Sequence, residues 1–278
     1  MDTSIVFVYC LCDDLLKALR HREDPQCRVG DAEILTTALT AAWFFGGNFK
    51  KTQTFLFEQG YSPKSLSPSR FIRRLHRCAH LLTPLFHVLA SLGHELNEES
   101  LYVVDSFPIS ACDNIRIPRC QRYQGKEWRG YQASKRRYFY GIKVHLVVTA
   151  SGYPIEFILT PGADNDVKVL RQLDLDLPEG STLTGDKAYN DYVYEDLLKD
   201  VGLSLVPLRK KNSKRPLDAA VTYLMASVRK TVETTVSLIE RLLPKHIHSV
   251  TASGFELKIG CFVIACALGF ASSSKLIT

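Results

Sequence analysis

The sequence predicts an α/β protein in which an all-α N-terminal domain precedes a mixed five-stranded sheet with flanking helices. Up to about residue 96, apolar residues recur at helical spacing. From Leu101 onward, short runs rich in β-branched and aromatic residues are separated by turn signals, and a long amphipathic helix follows them. Because strands and helices do not alternate regularly, a mixed sheet is favoured over parallel βαβ units. We therefore predict a helical domain over residues 1–98 and an α/β domain over residues 99–278.

The helical domain is predicted to contain four helices. The first is marked by Leu11, Leu15, Leu16 and Leu19, and the next two cover Asp31–Phe45 and Lys50–Gln59. The fourth begins at Ser67-Pro68, because Ser is a favourable N-cap and Pro fits the first turn. Its buried face is predicted at Phe71, Leu75, Cys78 and Leu82.

Four arginines fall largely outside this buried face of the fourth helix: Arg70, Arg73, Arg74 and Arg77. The last two of these helices are predicted to be joined by a short glycine-containing turn. Such a pair, with cations on the second helix, is typical of a helix-turn-helix that binds DNA. An ordinary solvated helix face is an equally open interpretation.

The α/β domain is predicted to contain five strands and three helices. Gly152 lies between the second and third strands and indicates a hairpin. Asp164-Asn165-Asp166 precedes a helix-like stretch that runs to Leu173. Two further helices are predicted from Asp191 to Val201 and from about Ala219 to Leu243, where Pro244 ends the second. The strands are Leu101–Asp105, Ile142–Thr149, Ile155–Leu159, Thr182–Asp186 and Leu203–Val206.

The C-terminal part of the chain contains its longest apolar run, from Ile259 to Ala271. A membrane span needs roughly 20 apolar residues, so we predict a buried core helix and no membrane association. The N-terminus lacks the pattern of a signal peptide. The eight cysteines form no Cys-x-x-Cys pair, which argues against a zinc ribbon. Several of them lie in apolar runs, which fits free thiols in a reducing cytoplasm.

Positive charge is concentrated in one part of the chain. The net charge is +6, and the stretch from Arg116 to Lys143 contains nine cations and the single acid Glu127. Such a block suits a polyanion such as DNA. Aromatic residues interleave with these cations and are able to stack on bases: Tyr123, Trp128 and Tyr131. We therefore predict a basic insertion over about residues 113–140, with a flexible solvated insertion as the alternative.

Two predicted strands end on an aspartate, Asp105 and Asp186. If neighbouring strands bring them together, their carboxylates form a site for a hard divalent cation such as Mg²⁺. Each aspartate alone is also explained as a strand end or a helix cap. Glu233 follows the core residue Val232 by one position, about 100° around the last long helix, and is expected at the rim of its packed face. His145 is expected to be a core or sheet-face residue rather than a base.

These residues together resemble the DDE transposases of prokaryotic insertion sequences, whose catalytic core is ribonuclease H-like. The likeness rests on Asp105, on Gly141-Ile142-Lys143, on Gly185-Asp186-Lys187-Ala188-Tyr189 and on Arg229 with Glu233. It covers about residues 30 to 270 and is greatest to the insertion-sequence 982 group. The chain departs from a signature of related groups, because Ala226 stands in place of a Tyr and Glu240 in place of a Lys.

The resemblance implies a metal-dependent transposase that binds element ends, cleaves DNA and joins its 3′ ends to a target. Asp105, Asp186 and Glu233 would hold two Mg²⁺ ions, for which Mn²⁺ would substitute, with Asp105 bridging them. Glu240 is the alternative third ligand. Other functions that stay open are a ribonuclease H-fold nuclease without strand transfer and an inactive, transposase-derived DNA-binding protein. The expected partners are double-stranded DNA and a second copy of the chain, in the prokaryotic cytoplasm at the nucleoid.

The residues expected to contact DNA come from the arginine-rich helix, the basic insertion, a second basic run at Arg209–Arg215 and the neighbourhood of the triad. They are Arg70, Arg73, Arg74, Arg77, Arg119, Arg122, Lys126, Trp128, Arg129, Lys135, Arg136, Arg137, Lys143, Lys187, Lys210, Lys211 and Arg229.

Overall fold

The computed structural model describes residues 1–133 and 135–273. The chain divides into two compact units. Of the described residues, the first unit contains 1–89, 238–249 and 253–273, and the second contains 90–237 and 250–252. C-terminal segments belong to the same unit as the N-terminal helices, and the predicted domains over residues 1–98 and 99–278 stay a prediction. The assignment of functions to separate domains stays a proposal.

The N-terminal part of the chain is helical, as the sequence predicted. A short 3-10 turn, Ala79–Leu81, joins the fourth and fifth helices. The connection between the third and fourth helices covers nine residues, 59–67, whereas a standard helix-turn-helix uses three or four. The helices are α1 Asp2–Ala18, α2 Asp31–Phe44, α3 Phe49–Glu58, α4 Pro68–Cys78 and α5 Leu82–Glu95.

The core of the first unit is apolar and includes the predicted face of α4. Phe71, Leu75 and Cys78 are buried, and α2 is buried over most of its length. Gly47 adopts a φ of +73°, and a Cβ there would lie 3.0 Å from the ring of Phe262. This close approach, together with the left-handed conformation, explains why glycine follows α2.

The last described helix, α9, covers Ala252–Ser273. It is longer than the predicted apolar run, and by length and mean hydropathy it is the one helix among the described residues that could cross a membrane. However, 61% of its most apolar window is buried inside the protein. Since the core helix of a globular protein meets the same criteria, this burial agrees with the predicted core helix.

The second unit is built on a mixed sheet of six strands. β3 lies antiparallel to β1 along one edge, while β2 and β4 pair in succession with its other edge. β5 and β6 extend the sheet in parallel on the far side of β1. The strands are β1 Leu101–Cys112, β2 Arg129–Gln132, β3 Arg137–Thr149, β4 Pro154–Pro161, β5 Thr182–Gly185 and β6 Ser204–Leu205.

The observed architecture is a mixed α/β fold with N-terminal helices ahead of the sheet, which confirms the predicted fold class and is consistent with a ribonuclease H-like core. The predicted hairpin around Gly152 is also confirmed, because β3 and β4 pair antiparallel. The predicted count of five strands is wrong. The sixth strand, β2, lies inside the basic insertion and pairs with the first residues of β3.

The predicted end of the first strand at Asp105 is also wrong. β1 continues for seven more residues, to Cys112. Its buried alternation persists through Phe107, Ile109 and Ala111, and its pairing with β3 continues alongside. Asp105 therefore lies within a strand that has lost its partner on one side, because β5 stops opposite Val104.

Three further helices complete the second unit: α6 Asp166–Leu170, α7 Tyr192–Asp200 and α8 Ala219–Leu242. α8 begins in the second unit and ends in the first. Within the second unit, its Thr235 hydroxyl donates a buried hydrogen bond of 2.7 Å to the carbonyl of Gly152. Val232 is fully buried beside it. These contacts fix the middle of α8 on the β3–β4 turn, whereas Val221 and Leu224 of the predicted core stripe are exposed.

Candidate active site

The register between β1 and β5 brings Asp105 and Asp186 together. Val104 lies opposite Gly185 in this parallel pair, and each aspartate is the next residue of its own strand or turn. Asp186 also caps a short 3-10 turn, since its carboxylate accepts a hydrogen bond of 2.6 Å from the Ala188 N–H. Asp186 therefore caps this turn, as one interpretation of the sequence predicted, and it also lies beside Asp105.

Gly185 is required by the close packing of Tyr189 on the strand end. A Cβ at Gly185 would lie 2.9 Å from the Tyr189 ring and 2.9 Å from a methyl group of Val104. Tyr189 itself is buried, with 1% exposure. The Gly-Asp-Lys-Ala-Tyr sequence thus forms a tight turn that folds the tyrosine under the strand and fixes the backbone of Asp186.

Arg229 of α8 connects two of the predicted site carboxylates. Its Nη2 lies 3.3 Å from Oδ2 of Asp105 and 3.2 Å from Oε1 of Glu233. The side chain of Asp105 is 19% exposed and that of Glu233 is 57% exposed. The arginine therefore neutralises a nearly buried carboxylate and holds a largely exposed one beside it.

The electrostatic environment of Asp105 opposes its negative charge. Burial raises the pKa of Asp105, and the negative charge of Asp186 raises it further. The Ser106 N–H, which donates a hydrogen bond of 2.8 Å, and the Arg229 guanidinium act in the opposite direction. Two carboxylates that repel each other at the point where β5 ends beside β1 are suited to sharing a cation.

The predicted triad is not gathered tightly around one point. Among the described residues, the set of three whose ligand atoms all lie within 4.8 Å of one another is His21, Glu23 and Asp31. The triad is not such a set, and Arg229 forms ion pairs with two of its members, Asp105 and Glu233. The assignment of Asp105, Asp186 and Glu233 as metal ligands therefore stays a prediction.

The His21, Glu23 and Asp31 set has a structural explanation. Both carboxylate oxygens of Asp31 are engaged, one by Arg74 and one by His21 at 2.9 Å. Glu23 accepts a hydrogen bond of 2.7 Å from the Asp31 N–H. The cationic Arg74 already neutralises Asp31, so this network braces the start of α2 against α4.

A further carboxylate, Asp166, belongs to a network that sequence analysis did not assign to the site. It accepts hydrogen bonds from Ser106 at 3.1 Å and from Lys143 at 3.0 Å. Lys143 also donates to the Asp164 carbonyl at 2.8 Å, so the structure holds this predicted DNA contact inside the network. The position of Asp166 at the start of α6 was visible in the sequence, but its approach to the β1 strand was not.

His145 and Tyr189 are buried next to this network and stay neutral. His145 is fully buried, its Nε2 lies 3.1 Å from the Thr160 hydroxyl, and burial lowers its pKa to about 4. Burial raises the pKa of Tyr189, as do the negative charges of Asp166, Asp105 and Asp186. The prediction that His145 is a core or sheet-face residue is confirmed.

The basic insertion is partly ordered by its own hairpin. Tyr131 of β2 and Tyr138 of β3 pack 4.9 Å apart and are each 53% exposed, and Arg129 lies over the Tyr138 ring. Tyr123 is buried against Trp128 at 4.1 Å. The aromatic surface that this segment exposes is therefore the Tyr131–Tyr138 pair rather than Tyr123.

The cations of the insertion are exposed to solvent, with the exception of Arg122. Arg122 is half-buried and donates a hydrogen bond to the Ala111 carbonyl. The exposed ones are Arg116, Arg119, Lys126, Arg129, Lys135, Arg136 and Arg137. In the second basic run, Arg209 and Arg215 form ion pairs with Glu195 of α7, while Lys210 and Lys211 are exposed, as is Lys187 beside Asp186.

The arginines of α4 line a cleft of about 400 Å³ in the first unit. Arg70, Arg73 and Arg77 are exposed, whereas Arg74 is half-buried and bound to Asp31 and the Val29 carbonyl. Loop residues add two more cations, Arg28 and Lys64. Among the residues that the structure describes, those lining the cleft include six cations and no acid, so its surface is suited to an anion.

Comparison with known proteins gives one family and one solved structure. The family described as a transposase DDE domain matches residues 96–249, more than half of the 278 residues. The chain is also similar to a cryo-EM structure of the piggyBac transposase synaptic complex with hairpin DNA. Identity is 11%, the TM-score is 0.46, and the match covers 95% of this chain and 72% of that chain. No curated protein matches the chain.

Proposed function

The chain belongs to the transposase DDE domain family, and from that premise we propose that it binds the ends of an insertion sequence, cleaves DNA phosphodiesters and joins the 3′ ends to target DNA. The observation that carries this proposal is the pairing of β1 with β5, which sets Asp105 beside Asp186. Arg229 links Glu233 to the same site. A carboxylate site on a rigid sheet, with basic surfaces elsewhere, suits metal-assisted chemistry on a polyanion.

The donor set of the site fits a hard divalent cation. Asp105, Asp186 and Glu233 supply oxygen ligands, which Mg²⁺ and Mn²⁺ prefer. Burial, and to a smaller extent the negative charge of Asp186, raises the pKa of Asp105, and a bound cation would favour its charged form. Two such ions, when bound, would supply Lewis-acid activation of the attacking oxygen and stabilisation of the leaving oxygen.

The surrounding residues orient these carboxylates. The Ser106 N–H holds Oδ1 of Asp105, and the Ala188 N–H holds the Asp186 carboxylate. Arg229 forms ion pairs with both Asp105 and Glu233. We propose that it turns toward a DNA phosphate when Asp105 and Glu233 bind metal, because its guanidinium then meets competing positive charge.

DNA binding is proposed at two basic surfaces. The cleft beside α4 carries six cations, three of them exposed on the helix, and would receive phosphates of the element end. The exposed cations of the insertion, with the Tyr131–Tyr138 pair, would hold DNA near the carboxylates. Phosphate contacts position DNA without reading its sequence.

The finer assignments follow from the resemblance in the sequence. We propose membership of the insertion-sequence 982 group, a prokaryotic origin, a cytoplasmic location at the nucleoid and action as a homodimer on DNA. Two element ends must be held together for coordinated joining, which a symmetric dimer achieves with one type of interface.

A strand-transfer assay tests the proposal. Labelled duplexes taken from both ends of the DNA segment that encodes the chain are incubated with the protein, Mg²⁺ and a supercoiled plasmid. Joined donor–plasmid products are expected with the natural chain and not with Asp105→Asn. Cleavage without joining would identify a nuclease instead, and end binding without cleavage would identify an inactive DNA-binding protein.

A further inference from the structure

Two cysteine thiols face each other at the base of a surface loop in the basic insertion. Cys112 is the last residue of β1, and Cys120 directly follows the 3-10 turn Asn114–Arg119. Their side chains form a hydrogen bond with each other, both are half-buried, and both are free thiols. The two sulfur atoms are therefore adjacent and within reach of a small solute.

The fold holds both sides of this loop in place. Arg122 donates a hydrogen bond to the Ala111 carbonyl, next to Cys112. The Asn114 side-chain amide donates to the Tyr138 carbonyl at 3.1 Å, and the Cys120 N–H donates to the Ile117 carbonyl at 3.0 Å. Because these bonds anchor the residues on each side, the approach of the two thiols is a built feature of the loop.

The two thiols differ in character. Burial opposes ionisation of Cys120, but the N–H groups of Tyr123 and Arg122, the Cys112 thiol and the Arg122 charge together lower its pKa. Burial and the neighbouring Cys120 raise the pKa of Cys112 to about 11. Cys120 thus has the electropositive, partly exposed surroundings of a reactive cysteine, and Cys112 those of a resolving partner.

The remaining cysteines do not share this arrangement. Burial raises the pKa to about 12 at four buried positions: Cys12, Cys78, Cys261 and Cys266. Cys10 is exposed and Cys27 is half-buried. They serve as internal comparisons for thiol reactivity.

We propose that Cys112 and Cys120 form a reversible disulfide when the protein meets a peroxide, and that this bond restrains the loop carrying Arg116 and Arg119. In the reducing cytoplasm that the cysteine usage suggests, such a bond would be transient and respond to oxidants. The site is distinct from the carboxylates of the proposed transposase function, and its formation does not depend on that function.

The chemistry balances with hydrogen peroxide as the oxidant. The Cys120 thiolate attacks one peroxide oxygen, the O–O bond breaks, and hydroxide leaves as Cys120 becomes a sulfenic acid. The Cys112 thiol then attacks the Cys120 sulfur, and the sulfenic oxygen leaves as water after taking the thiol proton. Peroxide is reduced by two electrons, and the two thiols are oxidised to one disulfide, which a thiol reductant reverses.

Peptide mapping of the full chain tests the bond. The reduced protein is treated with hydrogen peroxide, its remaining thiols are alkylated, and it is digested with trypsin and a Glu-specific protease. These cuts separate Cys112 from Cys78 and from Cys120. We expect a linked Cys112–Cys120 peptide that dithiothreitol releases, in wild type and in Cys10→Ser alike. Absence of that peptide, or linkage mainly through Cys10 or Cys27, would overturn the proposal.

Single variants test the roles of the two thiols. In Cys112→Ser, a dimedone probe should label Cys120, because the sulfenic acid lacks its partner. In Cys120→Ser, Cys112 should react with peroxide about tenfold more slowly, since its smaller thiolate fraction outweighs its higher intrinsic nucleophilicity. Equal reaction rates at the two positions would reject Cys120 as the attacking thiol.

Hydrogen exchange measures the restraint of the loop. Amides of residues 113–119 should exchange more slowly in the oxidised wild type than in the reduced form, while Cys112→Ser shows no change on the same treatment. Identical exchange in the two wild-type forms, with the disulfide present, would reject the restraint.

Discussion

Nη2 of Arg229 lies 3.3 Å from Oδ2 of Asp105, and these residues are 124 positions apart in the chain. The same guanidinium nitrogen lies 3.2 Å from Oε1 of Glu233, one turn further along α8. Arg229 thus joins helix α8 to strand β1 through the carboxylate of Asp105, and its positive charge counteracts the effect of burial on the pKa of that carboxylate. This contact identifies the middle of α8 as the segment that completes the proposed site.

The first prediction concerns the two aspartates. Asp105→Asn and Asp186→Asn should each reduce Mg²⁺-dependent DNA cleavage by at least about a hundredfold, because loss of even an outer partner of a metal site costs up to that much. DNA affinity, measured by fluorescence anisotropy in EDTA, should remain near that of the wild type. Undiminished cleavage by either variant would remove that residue from the triad.

The second prediction distinguishes Glu233 from Glu240. Glu233 belongs to the same compact unit as Asp105 and Asp186, whereas Glu240 belongs to the other unit. Since Arg229 also holds Glu233 beside Asp105, Glu233→Gln should abolish metal-dependent cleavage and Glu240→Gln should retain a substantial part of it. Both are measured side by side on the same labelled duplex. The reverse order would move the third ligand to Glu240.

The third prediction concerns the basic insertion. Arg119, Lys126 and Arg137 are exposed, so replacing all three with Ala should weaken duplex binding without disturbing the fold. The slope of log K against log salt should flatten by up to about 2.7, or about 0.9 for each lost phosphate contact. Lys199→Ala, an exposed change on α7, is the control. A slope equal to that of the wild type would show that these three cations make no contact with DNA phosphates.

The fourth prediction separates two neighbouring arginines of α4. Arg74 binds Asp31, and its hydrogen bond helps to lower the pKa of that half-buried carboxyl against the effect of burial. Arg74→Ala should therefore destabilise the protein by about 1–3 kcal/mol, as urea unfolding would show. Arg73→Ala, on the exposed side of the helix, should leave stability unchanged and lower DNA affinity. Equal destabilisation by both changes would contradict the bracing role of Arg74.

The fifth prediction is a pH dependence of stability that originates at Glu156 of β4. Burial raises its pKa to about 7, and the charge of Asp174 adds to the shift, whereas an unfolded chain has a value of about 4.3. The folded state thus binds the proton more tightly. The resulting stability is complete below about pH 4 and is lost as the pH rises through 7.

Glu156→Gln should remove this dependence while keeping an acceptor for the Phe157 N–H. Between pH 5 and pH 8, urea unfolding of the wild type should show a stability loss of about 1–3 kcal/mol relative to the variant. His145 titrates in the opposite sense, since burial lowers its pKa to about 4, and it is common to both proteins. Parallel pH profiles for the two proteins would refute the assignment to Glu156.

Local patterns in the sequence were sufficient for most helices and for the existence of most strands. They did not predict the break between α4 and α5, because the apolar spacing from Phe71 to Leu82 continues across it. The buried face of α4, the β3–β4 hairpin and the core character of α9 all follow from periodicity, glycine placement and apolar content, which act over a few neighbouring residues. The aspartates were also visible, because a carboxylate after a run of buried β-branched residues is unusual.

Tertiary structure decided what these patterns could not. The length of β1 beyond Asp105 depends on pairing with β3, and the meeting of Asp105 with Asp186 depends on the register of β5. The approach of Arg229 to Asp105, the Asp166 network around Lys143 and the meeting of Arg74 with Asp31 join residues 23 to 124 positions apart. Sequence spacing does not encode such distances, because they are set by how strands and helices pack. The sequence by itself therefore determined the elements and the candidate carboxylates, and only the packing of the sheet against α8 decided which side chains share a site.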